Sequence, residues 1–148
     1  MSASNQATTA SAPAAMRNIL IGCNEIYLAK AIKLLLGNFC EVTERSRFDE
    51  FVRDACTGCF DLVILYSNCL SPPPLCAGGL LENSVFATKS IKSSTKVPII
   101  ALTSMPEWRD ALLAAGADVC LNTPFEAPEF RDAVLRCLNS VSAIGLST

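Results

Sequence analysis

One short apolar run constrains the fold more than any other feature of the chain. Residues 62–65 are four consecutive apolar residues, preceded by Gly58 and followed by a segment rich in serine and proline. A run of this length suits a β-strand buried on both faces, as in a parallel sheet covered by helices. In open sheets of that kind, functional residues lie beyond the carboxyl ends of the strands. The residue at that point is Tyr66, so a tyrosine occupies the place where chemistry is expected.

Other short apolar segments alternate with segments of helical periodicity. They predict further strands at 17–22, 39–44, 97–102 and 118–122. Five strand–helix units with crossovers of this length require parallel pairing. We therefore predict an α/β domain with a doubly wound (βα)5 sheet, two helices on one face and three on the other. The flavodoxin-like strand order 2-1-3-4-5 is typical of such domains.

Residues at the ends of the predicted helices indicate where each helix begins or stops. Asn24 and Ser46 are candidate N-caps for the first and second helices. Glycines close helices well because they accept a left-handed conformation, which predicts helix ends at Gly37 and Gly116. The remaining start signals are prolines, which suit the first helical turn, at Pro106 and Pro128.

Length and composition predict one domain between two tails. The 148 residues, of which 51% are hydrophobic, suffice for one core, and we place the domain at 17–141. The flexible N-terminal tail, 1–16, lacks the apolar centre of a signal peptide, and a short C-terminal tail spans 142–148. No apolar run approaches the roughly 18 residues of a membrane span, so we expect a cytoplasmic protein. The net charge of −2 gives no reason to expect nucleic acid or a membrane as partner.

The chain has eight cysteines and no histidine. Histidine-based metal sites, catalytic triads and phosphohistidine chemistry are therefore excluded. A large aliphatic core does not need disulfides, so we expect mostly reduced thiols, with Cys120 and Cys137 as core residues. The segment 56–59 is a CxxC motif, typical of redox or zinc half-sites. Cys69 and Cys76 follow the central strand, about 25 Å away, so they cannot share an ion with that motif.

Five segments then appear in an order that resembles a known family. They are Ile19-Leu20-Ile21 leading into Cys23-Asn24-Glu25, Asp61-Leu62-Val63-Ile64-Leu65, Val97-Pro98-Ile99-Ile100-Ala101-Leu102-Thr103, Gly116-Ala117-Asp118 and Pro124-Phe125. In this order and spacing they resemble the receiver domains of two-component response regulators, from about residue 17 to about residue 141. The resemblance implies phosphoryl transfer from a partner's phosphohistidine to an aspartate, with Mg²⁺ bound by an acidic pair.

The resemblance fails at the residues that carry this chemistry. Cys23 and Asn24 stand at the positions of the two metal carboxylates, and Tyr66 stands at that of the nucleophilic aspartate. Thr103 matches the hydroxyl at the end of the fourth strand, and Thr123 matches the lysine. Only the hydroxyl is kept, at Thr103, and the fifth-strand aromatic corresponds to Cys120. Electrostatic stabilisation supplies most of phosphoryl-transfer catalysis, and Glu25 alone is too few ligands for Mg²⁺. Asp61 cannot act instead, because it lies at the opposite end of the apolar run.

These departures predict a pseudo-receiver that lacks the phospho-acceptor aspartate, binds no metal or cofactor and is not an enzyme. We expect the Tyr66 ring to fill the vacated pocket rather than to be a phosphorylation target. Thr103 and Thr123 are expected to be hydrogen-bonding turn residues. Family geometry further implies a cis Thr123–Pro124 bond.

The predicted function is a phosphorylation-independent signalling module that binds another signalling protein or a second copy of itself. The resemblance implies the face of the fourth helix, fifth strand and fifth helix, with Trp108, Leu112 and Phe130 as candidate partner-binding residues. The three prolines at 72–74 suit either a tolerated surface insertion or a rigid recognition surface. Two alternatives remain: phosphoryl transfer to a different residue, and a cysteine redox sensor built from Cys23, Cys69 and Cys76, with Cys69–Cys76 as the favoured pair.

Overall fold

Every predicted strand and helix is present, and the strand limits lie within two residues of those predicted. The computed structural model describes residues 16–67 and 74–147, with side chains described as far as Asn139. In chain order the elements are β1 (Arg17–Gly22), α1 (Ile26–Leu36), β2 (Cys40–Arg45), α2 (Phe48–Ala55), β3 (Leu62–Tyr66), α3 (Leu80–Ser94), β4 (Ile99–Thr103), α4 (Arg109–Ala115), β5 (Val119–Asn122) and α5 (Ala127–Ser147). A 3-10 turn, Pro106–Trp108, precedes α4.

The strands form one parallel sheet in the order β2-β1-β3-β4-β5. Within it β1 pairs with both β2 and β3, while β4 lies between β3 and β5. Each strand is followed by a helix that carries the chain back to the starting edge, which is why all pairs are parallel. The predicted flavodoxin-like order 2-1-3-4-5 is confirmed.

Side chains that alternate along β3 divide the core into two layers. Leu62 and Ile64 belong to the cluster that packs under α1 and α5, and Val63 and Leu65 belong to the cluster under α2, α3 and α4. All four residues are fully buried, because helices cover both faces of the sheet. The prediction of two helices on one face and three on the other is therefore confirmed.

Both predicted N-caps are wrong by one residue. The side chain of Glu25, not Asn24, caps α1 by accepting hydrogen bonds from the backbone N–H groups of Tyr27 and Leu28. At α2 the capping position is Arg47, whose side chain makes no capping bond. The helix starts at Phe48, one residue later than a cap at Ser46 would require. A carboxylate at the amino end of a helix also interacts favourably with the helix dipole, which favours Glu25 as the cap of α1.

The predicted helix ends are correct in place but not always in conformation. Gly116 ends α4, as predicted, with φ of 125°. Gly37 follows α1 with φ of −62°, so the left-handed conformation predicted there is wrong. Pro128 is the second residue of α5, and that helix continues to Ser147, beyond the predicted domain end at residue 141. The predicted C-terminal tail is thus largely a continuation of α5, and the N-terminal tail lies outside the described residues apart from Met16.

Within residues 16–67 and 74–147, no helix combines the length and the hydropathy that a membrane-spanning segment needs.

Candidate functional site

The carboxyl edge of the sheet gathers the residues that the sequence singles out. Gly22 is the register partner of Leu65, and Tyr66 is the partner of Leu102. Backbone hydrogen bonds extend this ladder beyond the strands, since Cys23 N–H donates to Arg45 and Thr123 N–H donates to Thr103. Neighbouring strands lie about 4.8 Å apart. The topology therefore places Cys23, Asn24, Tyr66, Thr103 and Thr123 along one edge, as predicted.

The two residues that follow β1 provide no pair of carboxylates. Cys23 is buried, and its Sγ accepts a hydrogen bond of 3.2 Å from the backbone N–H of Glu25. Asn24 is exposed. The nearby carboxylate of Glu25 is engaged on both oxygens, because Oε1 accepts from Tyr27 N–H at 3.0 Å and Oε2 accepts from Leu28 N–H at 3.1 Å. The only acidic side chain of this loop therefore serves to begin α1.

Tyr66 ends β3 as a half-buried side chain packed against the cluster between the sheet and helices α1 and α5. The next residue, Ser67, is fully buried. Its N–H donates to Leu102 at 2.8 Å, and its carbonyl accepts from the Ser84 hydroxyl at 3.2 Å. The carboxyl end of β3 is thus tied both to β4 and to α3. The filling of the vacated pocket by the Tyr66 ring stays a prediction.

The two threonines of the edge act in turns. Thr103 is fully buried, and its Oγ1 accepts a hydrogen bond of 3.0 Å from Met105 N–H. Thr123 is half-buried and lies at the start of the turn after β5, where the Thr123–Pro124 peptide bond is cis. The cis bond that family geometry implied is confirmed. No lysine occupies the position before Pro124, so the edge lacks a cationic clamp there.

Asn83 on α3 is a site residue that the sequence did not predict. It is buried, and its Oδ1 accepts hydrogen bonds from the backbone N–H groups of Leu75 and Cys76. Its Nδ2 donates to the carbonyls of Gly78 and Gly79. A buried amide needs such partners, so Asn83 holds the last part of the loop that joins β3 to α3. An asparagine within an otherwise helical segment was the signal that could have found it.

The preceding part of the same loop, residues 68–73, lies outside the described residues. The predictions for Cys69 and for Pro72 and Pro73 fall there, while Pro74 is exposed. Cys76 is a half-buried free thiol. Cys23, the third member of the predicted thiol cluster, is buried, which argues against its access to a solution oxidant.

The predicted partner-binding role is wrong for two of the three residues. Leu112 and Phe130 have no exposed surface, so they belong to the core and cannot contact a partner. Phe130 also stacks on Phe125, with ring centroids 4.7 Å apart. Trp108 is half-buried and packs against the cluster under α2, α3 and α4. The helical spacing of these residues identified the face that meets the sheet and not the face that meets solvent.

Large exposed apolar side chains occur instead on α1. Ile26, Tyr27 and Leu34 are 65%, 80% and 83% exposed, respectively, and we call these three residues the α1 patch. Tyr27 and Leu34 are seven residues apart, which places them on one side of the helix. The sequence of α1 is apolar almost all round, and that pattern was the available signal for a face beyond the core stripe.

The opposite edge of the sheet contains a cavity. A cavity of about 280 Å³ lies there, between the loops that precede β3 and β4. Its lining includes Phe60, Asp61 and Lys96. Asp61 is already engaged, because its Oδ2 accepts a hydrogen bond of 2.8 Å from Asn18 N–H. The prediction that Asp61 lies away from the carboxyl edge is confirmed.

This architecture matches solved receiver domains. A response regulator receiver domain protein from Clostridium thermocellum is 25% identical, with a TM-score of 0.69 over 87% of this chain and 99% of that one. The receiver domain of a sensor histidine kinase from Pseudomonas aeruginosa PAO1, with a magnesium ion coordinated in its active site cleft, is 24% identical with a TM-score of 0.70, over 84% and 99%. The chain has the receiver fold.

A third solved structure with this fold is the chemotaxis response regulator CheY4 of Vibrio cholerae, which is 24% identical with a TM-score of 0.65 over 83% of this chain and 99% of that one. No protein-family model matches the chain, and no curated protein sequence matches it. The receiver fold therefore rests on the three-dimensional likeness.

The residues at the carboxyl edge do not fit the magnesium ion that the fold suggests. Mg²⁺ takes oxygen ligands, usually with one or two carboxylates. Cys23 presents a buried sulfur, Asn24 a neutral amide, and Glu25 a carboxylate whose oxygens both cap α1. Among the described residues, no group of three histidine, cysteine, aspartate or glutamate side chains is placed to hold a metal ion.

Proposed function

We propose that this protein is a receiver-type signalling module, related to two-component systems, that acts by binding another protein and does not accept a phosphoryl group. It is a degenerate receiver without the phospho-acceptor aspartate, and we place it in the cytoplasm. The receiver fold supports the signalling class. The composition of the carboxyl edge supports the loss of phosphorylation.

Phosphoryl transfer depends on positioning and on stabilisation of charge. A receiver needs a carboxylate nucleophile, carboxylates for Mg²⁺ and a cation for the transferred group. This chain has Tyr66, Cys23, Asn24 and Thr123 at those positions. The observation that carries the proposal is the use of Glu25, the one carboxylate of the loop, as the cap of α1.

The α1 patch supports a role in protein binding. Exposed tyrosine and leucine side chains bring large apolar area to an interface at low entropic cost. Such residues clustered on one helix of a soluble domain mark an interaction site more often than scattered ones do. Since Leu112 and Phe130 are in the core, α1 replaces the face of α4, β5 and α5 as the first choice for the partner. Trp108 remains the candidate on that other face.

The loss of phosphorylation is tested by incubating the protein with acetyl phosphate and Mg²⁺ and measuring the intact mass. A receiver domain with its aspartate, treated in parallel, is the positive control. We expect no adduct on this chain. A single phosphoryl adduct contradicts the proposal, and mapping that adduct to a residue favours the alternative of transfer to a different acceptor.

The interaction surface is tested with the double variant Tyr27→Ser/Leu34→Ser. Leu135→Ser is the matched control, since Leu135 is 39% exposed on α5 and outside the α1 patch. Light scattering reports self-association, and pull-down followed by titration with the purified partner reports binding to another protein. We expect the double variant to lose association and the control to keep it. If association is lost only in Trp108→Ala, the interaction surface lies beside α4 and not at the α1 patch.

A further inference from the structure

The CxxC segment between α2 and β3 contains the most accessible pair of nearby thiols among the described residues. Cys59 is exposed and Cys56 is half-buried, and both are free. The thiols of Cys40, Cys120 and Cys137 are buried, and burial raises the pKa of each. Buried thiols with raised pKa values are inert toward exchange because the thiolate is the reactive form. Reactivity is therefore expected at the segment between α2 and β3.

Local hydrogen bonds hold this segment in a turn against the end of α2. The Thr57 hydroxyl donates to the carbonyl of Asp54 at 2.7 Å and accepts from Cys59 N–H at 3.2 Å. Gly58 has φ of 80°, a value that glycine adopts readily. The backbone turns at 56–57 and bends at Gly58, and only two residues separate the two cysteines. A disulfide needs about 4.4–6.8 Å between Cα atoms.

The surroundings favour a redox reaction over a zinc site. A structural zinc ion needs four ligands, and the described residues offer no group of three potential ligands around these thiols. A Cβ atom added at Gly58 would meet no atom within 4 Å, so the middle of the turn borders open space. A small disulfide molecule therefore has room to approach the exposed thiol of Cys59.

We propose that Cys56 and Cys59 form a reversible disulfide by exchange with a low-molecular-mass disulfide of the glutathione type. The Cys59 thiol loses its proton to solvent, and the thiolate attacks one sulfur of the small disulfide. This forms a mixed disulfide and releases one small thiolate. The Cys56 thiolate then attacks Sγ of Cys59 and releases the second small thiolate. The two protein thiols are oxidised and the small disulfide is reduced to two thiols, with the released protons taken up by those thiolates or by solvent.

Oxidation would act on the packing between α2 and α3. In the thiol form, Sγ of Cys56 lies 3.8 Å from the carbonyl oxygen of Ser90 on α3, as a weak hydrogen bond. Formation of the disulfide removes that donor and turns Cys56 toward Cys59. The oxidation state of the pair thereby influences how α2 and α3 meet on this face of the sheet. This inference is independent of the proposed function, because neither phosphorylation nor the α1 patch enters it.

The test uses the full chain, reduced and then equilibrated with oxidised glutathione before acid quenching and alkylation of the remaining thiols. Cleavage after Phe60 and Tyr66 separates the pair from Cys69 and Cys76 for mass mapping. We expect the peptide that contains Cys56 and Cys59 to lose the mass of two hydrogens and to escape alkylation. Dithiothreitol should restore both thiols.

Three variants separate the steps. Cys56→Ser should accumulate a glutathione adduct on Cys59, and Cys59→Ser should give neither adduct nor disulfide at this segment. Cys76→Ser is the matched control and should leave the disulfide unchanged. The proposal is overturned if the wild-type pair stays alkylatable, or if oxidation maps to Cys69 and Cys76 instead. The wild-type map decides the matter even if a variant folds poorly.

Discussion

The two edges of the sheet differ in how they use polar residues. At the carboxyl edge, Ser67 and Thr103 are fully buried and the one loop carboxylate begins a helix. At the amino edge, aspartates bind the backbone of neighbouring strands, and a cavity and an exposed thiol face solvent. A receiver fold is expected to be reactive at its carboxyl edge, yet the cavity of about 280 Å³ and the exposed thiol of Cys59 lie at the opposite edge. The type of a residue alone therefore does not show its role. An aspartate at the start of a strand bonds to the neighbouring strand, whereas one at the end of a strand could take part in chemistry.

The aspartates of the amino edge show a repeated arrangement. Asp61 precedes β3, donates its N–H to the carbonyl of Asn18 and accepts from the N–H of the same residue. Asp118 precedes β5 and makes the equivalent pair of bonds with Ile99. Each aspartate therefore satisfies both backbone groups of a residue on the adjacent strand, where the ladder would otherwise end. Both are structural carboxylates.

Apolar packing also holds the end of β1 at the carboxyl edge. Phe51 of α2 is fully buried, and its ring lies directly against Gly22 at the end of β1. Cys23, the next residue, is also buried. The Phe51 ring therefore occupies the space beside Gly22 on the α2 side of β1.

The largest expected effect contrasts one glycine at each edge. In Gly22→Ala the new Cβ would lie 2.6 Å from a ring carbon of Phe51, and a buried ring has little room to move. We expect a loss of about 3 kcal/mol in the free energy of unfolding, measured by urea denaturation. Gly58→Ala is the control, since only its positive φ is strained, and it should cost about 1 kcal/mol. Equal losses would contradict the close packing of Phe51 against Gly22.

The next effect concerns the aspartates. Asp118→Ala removes the acceptor for Ile99 N–H and the ion-pair partner of Lys92. We expect a loss of about 2 kcal/mol in unfolding free energy, because a partly buried donor is left unpaired. Asp61→Ala removes only the acceptor for the N–H of Asn18 and breaks no ion pair, so it should lower the unfolding free energy by about 1 kcal/mol. Asp132 is an exposed carboxylate on α5, and Asp132→Ala is the control. If both variants lose no more unfolding free energy than this control does, the structural role assigned to the two aspartates is wrong.

A smaller effect is expected at the carboxyl edge. Glu25→Ala should lower the unfolding free energy by about 1 kcal/mol through loss of the α1 cap. Asn24→Ala should lower it less, because Asn24 is not the cap. Thermal unfolding followed by circular dichroism measures both. Added Mg²⁺ should leave the two midpoints unchanged, and a stabilisation by Mg²⁺ that Glu25→Ala abolishes would show that this carboxylate is a metal ligand instead.

The smallest effect concerns a thiol of the core, in contrast to the carboxylates of the two edges. Burial raises the pKa of Cys120, so above the ordinary thiol pKa of about 8.5 the unfolded chain loses a proton that the folded chain keeps. Stability should therefore fall as pH rises through that range. Cys120→Ala should show a shallower fall between pH 8 and pH 10. A Cys120→Ala variant with the wild-type slope would refute the effect.

Strand positions and topology were predictable because buried parallel strands leave apolar runs too short for a helix and bounded by glycine, proline or polar residues. The edge positions of Cys23, Tyr66 and Thr103 followed from the strand ends. Helix caps were less predictable, since a cap depends on which side chain reaches the free N–H groups. At α1 that residue is Glu25. The prediction of the partner-binding residues was wrong for a related reason. Periodicity identifies an apolar stripe on a helix, but it does not show that Leu112 and Phe130 in that stripe pack against the sheet.

Residue identity alone was enough to exclude histidine chemistry and to remove the carboxylates from the receiver positions, since no packing can supply a missing functional group. Three-dimensional packing assigned the remaining roles: the exposure of Tyr27 and Leu34, the commitment of Glu25 to α1, and the bonds of Asp61 and Asp118 to neighbouring strands. These roles depend on how each helix rests on the sheet and on which strands are adjacent. Such relations join residues far apart in the chain, so local patterns do not contain them.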